Sequence, residues 1–106
     1  MNPTWAFQQT AAPINISAST TTASGTMIVP SGQGLVEPYK VIRIANLTSA
    51  TAYWRSGIGA QTAVTTDCAI PSTSVELFTI PASHDTIAVI LSTGTGTVQV
   101  VAGAGL

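Results

Sequence analysis

The side chains able to do acid–base, nucleophilic or metal chemistry are few. They comprise Glu37, Asp67, Glu76 and Asp85, one histidine (His84), one cysteine (Cys68) and the cations Lys40, Arg43 and Arg55. Only Ser83-His84-Asp85 sets the three residue types of a hydrolase triad side by side. On an extended chain, consecutive side chains point in alternate directions, so these three cannot line up as nucleophile, base and orienting acid. The run reads as a polar loop after Pro81. A metal site needs three or four Cys, His or carboxylate ligands within reach. One His, one Cys and four dispersed acids do not supply them. The pairs Gly32/Gly34, Gly57/Gly59, Gly94/Gly96 and Gly103/Gly105 never continue to the third glycine of a dinucleotide fingerprint, and they read as turn glycines. No catalytic residue, cofactor or metal is expected, and the chain does not read as an enzyme.

Contact chemistry is better represented. Tyr53 and Trp54 are consecutive and must face opposite ways on a strand, one toward the core and one toward the surface. Tyr53 shares its face with Thr51 and Arg55, which makes Tyr53 and Arg55 a candidate contact patch. An aromatic exposed on a sheet can also stack on a sugar ring, so a carbohydrate-binding or adhesion module is the alternative function. Trp5 and Phe7 lie in residues 1–13, where Pro3 and Pro13 forbid a continuous helix. So short an arm has little core of its own. Its aromatics are expected either to tuck under the domain or, the favoured reading, to dock on a partner. Trp5, Phe7, Tyr53 and Arg55 are the candidate partner-binding residues.

The elements that position these residues follow from composition and period. A chain of 106 residues suits one domain with one modest core. Apolar residues make up 45% and charged residues only 7%, against roughly 25% charged in an average domain. Thr and Ser fill much of the gap. A net charge of −1 offers no basic field for nucleic acid, and the hydrophobicity argues against disorder. No apolar run reaches the roughly 18 residues of a spanning helix. The first residues lack the charged and apolar regions of a signal peptide. Cys68 has no partner for an intrachain disulfide and is expected to be a buried packing residue.

Strand signals recur about every ten residues, with Gly, Pro, Asn or Ser between them. Ile14 and Ile16 mark a first strand, Ser19–Thr22 suits an extended, solvated strand or edge, and Met27–Val29 reads as a short strand stopped by the turn cluster Pro30–Gly34. Tyr39–Asn46 is the strongest, with Ile42 and Ile44 on one face. Ala50–Arg55 reads as its returning hairpin partner. Thr62–Thr66 reads as a short strand and Asp67–Ser72 as irregular. Val75–Ile80, Thr86–Ser92 and Thr97–Ala102 complete the set, the last two paired through a turn at Thr93–Gly96, and Gly103–Leu106 is expected to be a flexible tail. Ile42, Ile44, Val89, Leu91, Val98 and Val100 are the expected core. No window supports an amphipathic helix. The expected fold is all-β: an extended arm over 1–13 and one β-sandwich over 14–106. A jelly-roll-like topology comes first and an immunoglobulin-like Greek key second.

The runs YKVIRIANLTSATAYWRSG (39–57), VELFTIP (75–81) and TGTGTVQV (93–100) resemble small virion proteins of tailed bacteriophages. In these an IRIxNxTS–AxAxxRxG hairpin precedes a VExFTI strand and a closing GTGTVxV hairpin. The likeness covers about residues 39–102 and consists of strand and turn patterns. It implies a capsid decoration (cement) protein, or a head or tail fibre component, made in the bacterial host cytoplasm and carried on the particle surface. Its partner would be the major capsid protein or another virion protein. Low charge and a small core also suggest a homo-oligomer, with a trimer favoured.

Overall fold

A computed structural model describes residues 8–9, 12–27 and 39–104. Among these, every regular element is a strand. The nine are β1 (Gln8–Gln9), β2 (Ile14–Ala18), β3 (Ala23–Thr26), β4 (Tyr39–Asn46), β5 (Ala52–Gly57), β6 (Cys68–Ile70), β7 (Val75–Pro81), β8 (Thr86–Leu91) and β9 (Gly96–Ala104).

They form two sheets. One runs β1-β9-β4-β7, with β2 also paired to β9 on the flank that β1 occupies; the other runs β3-β8-β5-β6. Every pairing is antiparallel. From β2 onward the chain changes sheet at each connection except β5 to β6. The facing orders β2-β9-β4-β7 and β3-β8-β5-β6 are those of an eight-strand jelly roll.

Alternation fixes the core. Ile16, Ile42, Ile44, Val98 and Val100 from the first sheet meet Ala52, Trp54, Ile70, Ile87, Val89 and Leu91 from the second. Each fully buried Ile, Leu or Val contributes roughly 1.5–3 kcal/mol relative to exposure. The six expected core residues are all essentially inaccessible. Two glycines of TGTGTVQV have separate reasons. Gly94 has a φ of 70°, in the left-handed region a turn requires. At Gly96 a Cβ would lie 2.6 Å from Cγ2 of Thr48, so only glycine lets β9 pass that close.

Several expectations need correction. β4 and β5 are not a hairpin, nor are β8 and β9, because each pair lies in opposite sheets. Their turns carry the chain over the end of the sandwich. Thr62–Thr66 is not a strand, whereas Cys68–Ile70, expected to be irregular, pairs with Ala52–Trp54. The cause is Asp67, whose N–H bonds the Val64 carbonyl at 3.0 Å and whose Oδ2 accepts the Val64 N–H at 2.9 Å, closing a turn just before β6. Cys68 is exposed; it opens β6, an edge strand that among the described residues has a neighbour on one side only. Gly103 and Ala104 are strand rather than tail, paired with Val41, Gln9 and Gln8. Gln8 and Gln9, within the expected arm, are thus part of the first sheet. Trp5 and Phe7 lie outside the described residues.

Candidate interaction surface and the polar cluster at the sandwich end

Trp54 and Tyr53 divide as alternation requires. Trp54 faces inward, its ring 4.7 Å from that of Phe78 on the opposite sheet, tilted by 53°. Tyr53 stands half-buried on the outer face of β5 and Arg55 is exposed beside it. Arg55 is engaged within the chain: its Nε and Nη2 donate to the Asp67 carboxylate at 3.2–3.3 Å.

That ion pair anchors a long connection. Residues 58–67 join β5 to the adjacent strand β6, yet the Ala63 N–H donates to Oγ1 of Thr22 at 2.9 Å. Thr22 immediately precedes β3, on the far edge of the same sheet. To reach it from β5 and return to β6, the loop must cross the outer face of β8. This crossing accounts for the complete burial of Ala88, an outward-facing residue of β8, and for the burial of Ala63 itself. Gly59 ties the start of the loop to Asp85, its N–H donating to Oδ1 at 3.0 Å. The loop bears Ile58 and Val64, 67% and 43% exposed. The candidate contact surface therefore combines Tyr53 and Arg55 with two aliphatics that no alternation pattern singled out.

The chemistry-bearing residues gather at one end of the sandwich, in a different set from the triad-like run. Ser56, the inward-facing residue near the end of β5, places Oγ 2.7 Å from Nδ1 of His84; Ser83 is exposed. Lys40, inward on β4, donates from Nζ to the His84 carbonyl at 2.6 Å. Burial pushes the Lys40 ammonium below the usual lysine range, and the Asp85 carboxylate partly opposes this. The Gly59 N–H, then the Thr86 hydroxyl, hold Asp85 below the usual carboxylate range. A hydrolase would need a carboxylate on the other imidazole nitrogen, but Asp85 turns toward Gly59 and Thr86. The Asp85 backbone also extends the second sheet past Thr86, its N–H bonding the Gly57 carbonyl at the end of β5 and its C=O accepting the N–H of Met27 just after β3. The arrangement closes this end of the sandwich and gives Lys40, Ser56 and His84 polar partners there. Among the described residues no three His, Cys, Asp or Glu side chains come together to hold a metal ion.

Fold and surface thus define a jelly-roll sandwich with a polar cap and an apolar outer loop. No family model, curated protein or solved structure matches the chain.

Proposed function

We propose that the protein is a structural virion protein of a tailed bacteriophage, a decoration protein that binds the head surface and stabilises it. The observation carrying this reading is the combination of a jelly-roll sandwich with a surface nearly devoid of charge, on which Tyr39, Leu47, Ile58, Val64, Val75 and Leu77 are exposed. Copies of such a domain can stand side by side on a particle without electrostatic repulsion. The sequence pattern over 39–102 supports the same reading. With Trp54 turned inward, Tyr53 is the one aromatic ring of that pair on the outer face, a poor platform for sugar stacking. Attachment is assigned to the arm, with Trp5 and Phe7 as apolar anchors and the major capsid protein as partner.

Mass spectrometry of purified virions tests the reading directly: the polypeptide should be present in many copies per particle. Particles lacking it should rebind the full-length chain. They should not rebind the Trp5→Ala/Phe7→Ala variant, whose sandwich stays folded. Absence from virions would overturn the proposal, and undiminished binding by the variant would move the anchor to a face of the sandwich.

A further inference from the structure

The first sheet ends on β7, bonded among the described residues to β4 alone. The Asn46 N–H donates to the Ser74 carbonyl, and Asn46 and Ser74 continue the register in which Ala45 faces Val75. In an antiparallel ladder alternate residues bond the neighbour, so Glu76, Phe78 and Ile80 direct their backbone groups to β4. The N–H and C=O of Val75, Leu77 and Thr79 therefore face the outer edge, which no other described strand pairs. These residues also point outward, and Val75 and Leu77 are 50% and 41% exposed. Edge strands are normally blunted by charged side chains, inward-pointing ones included, by proline or by a bulge. The inward Glu76, opposite Ile44, is the one such device within β7, whose proline stands at the strand end, and the outward row Val75, Leu77 and Thr79 is left uncharged.

We propose that β7 pairs antiparallel with β7 of a second copy about a two-fold axis through Leu77. Leu77 then faces itself and Val75 faces Thr79 of the second copy, each a reciprocally hydrogen-bonded pair, so one register satisfies the free backbone groups of all three residues. The charges fit this occupant. Glu76 falls opposite Phe78 of the second copy. The two Arg43 side chains, each one strand inward beside Leu77, stand three strand spacings apart. That is about 14 Å, beyond the Debye length of about 8 Å at physiological salt. An edge this short buries less than the roughly 800 Å² per partner of a standard interface, so the contact acts where copies are concentrated, as on a shared surface. The inference does not depend on what the protein binds.

Disulfide trapping tests the register in a Cys68→Ser background, which removes the exposed native thiol. Leu77→Cys should oxidise to a covalent dimer, because hydrogen-bonded antiparallel partners have Cα atoms about 5.5 Å apart, within disulfide range. Val75→Cys alone should not, its copies lying about 13 Å apart along the strand, whereas Val75→Cys/Thr79→Cys should. A second arm uses charge. Leu77→Lys and Leu77→Glu should each abolish sedimenting dimer at high concentration while circular dichroism stays native, and mixing the two should restore it. Equal cross-linking by Leu77→Cys and Val75→Cys would overturn the proposal. So would a monomer at every concentration, or a trimer indifferent to Leu77→Lys.

Discussion

Oδ1 of Asn46 accepts two hydrogen bonds from Thr48, one from the backbone N–H at 3.0 Å and one from the hydroxyl at 2.7 Å. The hydroxyl proton is shared with the Ala50 carbonyl at 2.9 Å, and the same oxygen accepts the Ala50 N–H at 3.2 Å. On its other side, Nδ2 of Asn46 donates to the carbonyls of Ala50, Ile70 and Pro71 at 2.9–3.1 Å. One fully buried amide therefore fastens the end of β4, the crossover to β5 and the end of β6. A hairpin would have supplied those backbone groups with ladder partners; the crossover cannot, and Asn46 takes the ladder's place.

Replacing Asn46 with Leu should destabilise the fold by on the order of 3–5 kcal/mol, since it strands several buried backbone groups at once. Asn46→Asp should cost at least as much near neutral pH, because a carboxylate would face three carbonyls. That arrangement raises its folded-state pKa, so the variant should recover stability relative to the native chain as the pH falls toward the ordinary carboxylate range. Urea melts at two pH values measure both effects.

Trp54 gives the opposite expectation. Its Nε1 is buried and finds no hydrogen-bond partner among the described residues, so its indole carries a polar atom that burial penalises. Trp54→Phe removes that atom and keeps an aromatic ring against Phe78. Its stability should change by less than about 1 kcal/mol, whereas Trp54→Ala should lose about 3–5 kcal/mol. Equal losses in denaturant melts would show that Nε1 is satisfied after all.

What the sequence reveals depends on whether the deciding interaction is local. Ile42 and Ile44, Val89 and Leu91, and Val98 and Val100 were legible because a period of two is a property of the strand itself. The hairpin reading of β4 and β5 failed because a turn sequence does not say which sheet the next strand joins. Asn46 decides that through carbonyls 24 and 25 residues away. Thr62–Thr66 has strand propensity, but the Ala63 link to Thr22 and the Asp67 turn override it. Ser56 and His84, 28 positions apart, carry no common pattern, and the conspicuous Ser83-His84-Asp85 run drew attention to the wrong serine.

Asp85 sets an acid limit on the closed end. Its folded-state pKa is lowered, first by the Gly59 N–H and then by the Thr86 hydroxyl. A lowered carboxylate pKa means the unfolded chain binds the proton more readily. The stabilisation is complete above the unfolded pKa of about 3.9 and lost as pH falls through the lower folded value. Asp85→Asn should therefore flatten the decline of stability between about pH 4 and 2. The Lys40 ammonium, shifted down by burial, acts at the other end of the scale: its cost should be relieved as pH rises toward about 10.5. Thermal melts across both ranges check the two signs separately.

The Arg55–Asp67 pair should behave as a clasp on the outer loop. The Arg55 side chain is 45% exposed and that of Asp67 12%, so solvent screens the attraction and the pair contributes only about 0.5–1 kcal/mol to global stability. Its local effect should be larger, because Asp67 also receives the Val64 N–H and so links loop, strand and guanidinium. Arg55→Ala should raise amide hydrogen exchange at Val64 and Asp67 while leaving Val89 and Val100 protected. Asp67→Asn should reproduce that pattern, since it removes the charge from the other side of the clasp. If Arg55 instead contacts the partner directly, Arg55→Ala should weaken particle binding much more than Asp67→Asn does. If it serves only to hold Ile58 and Val64 in place, the two variants should weaken binding equally, and high salt should weaken the native protein in the same way.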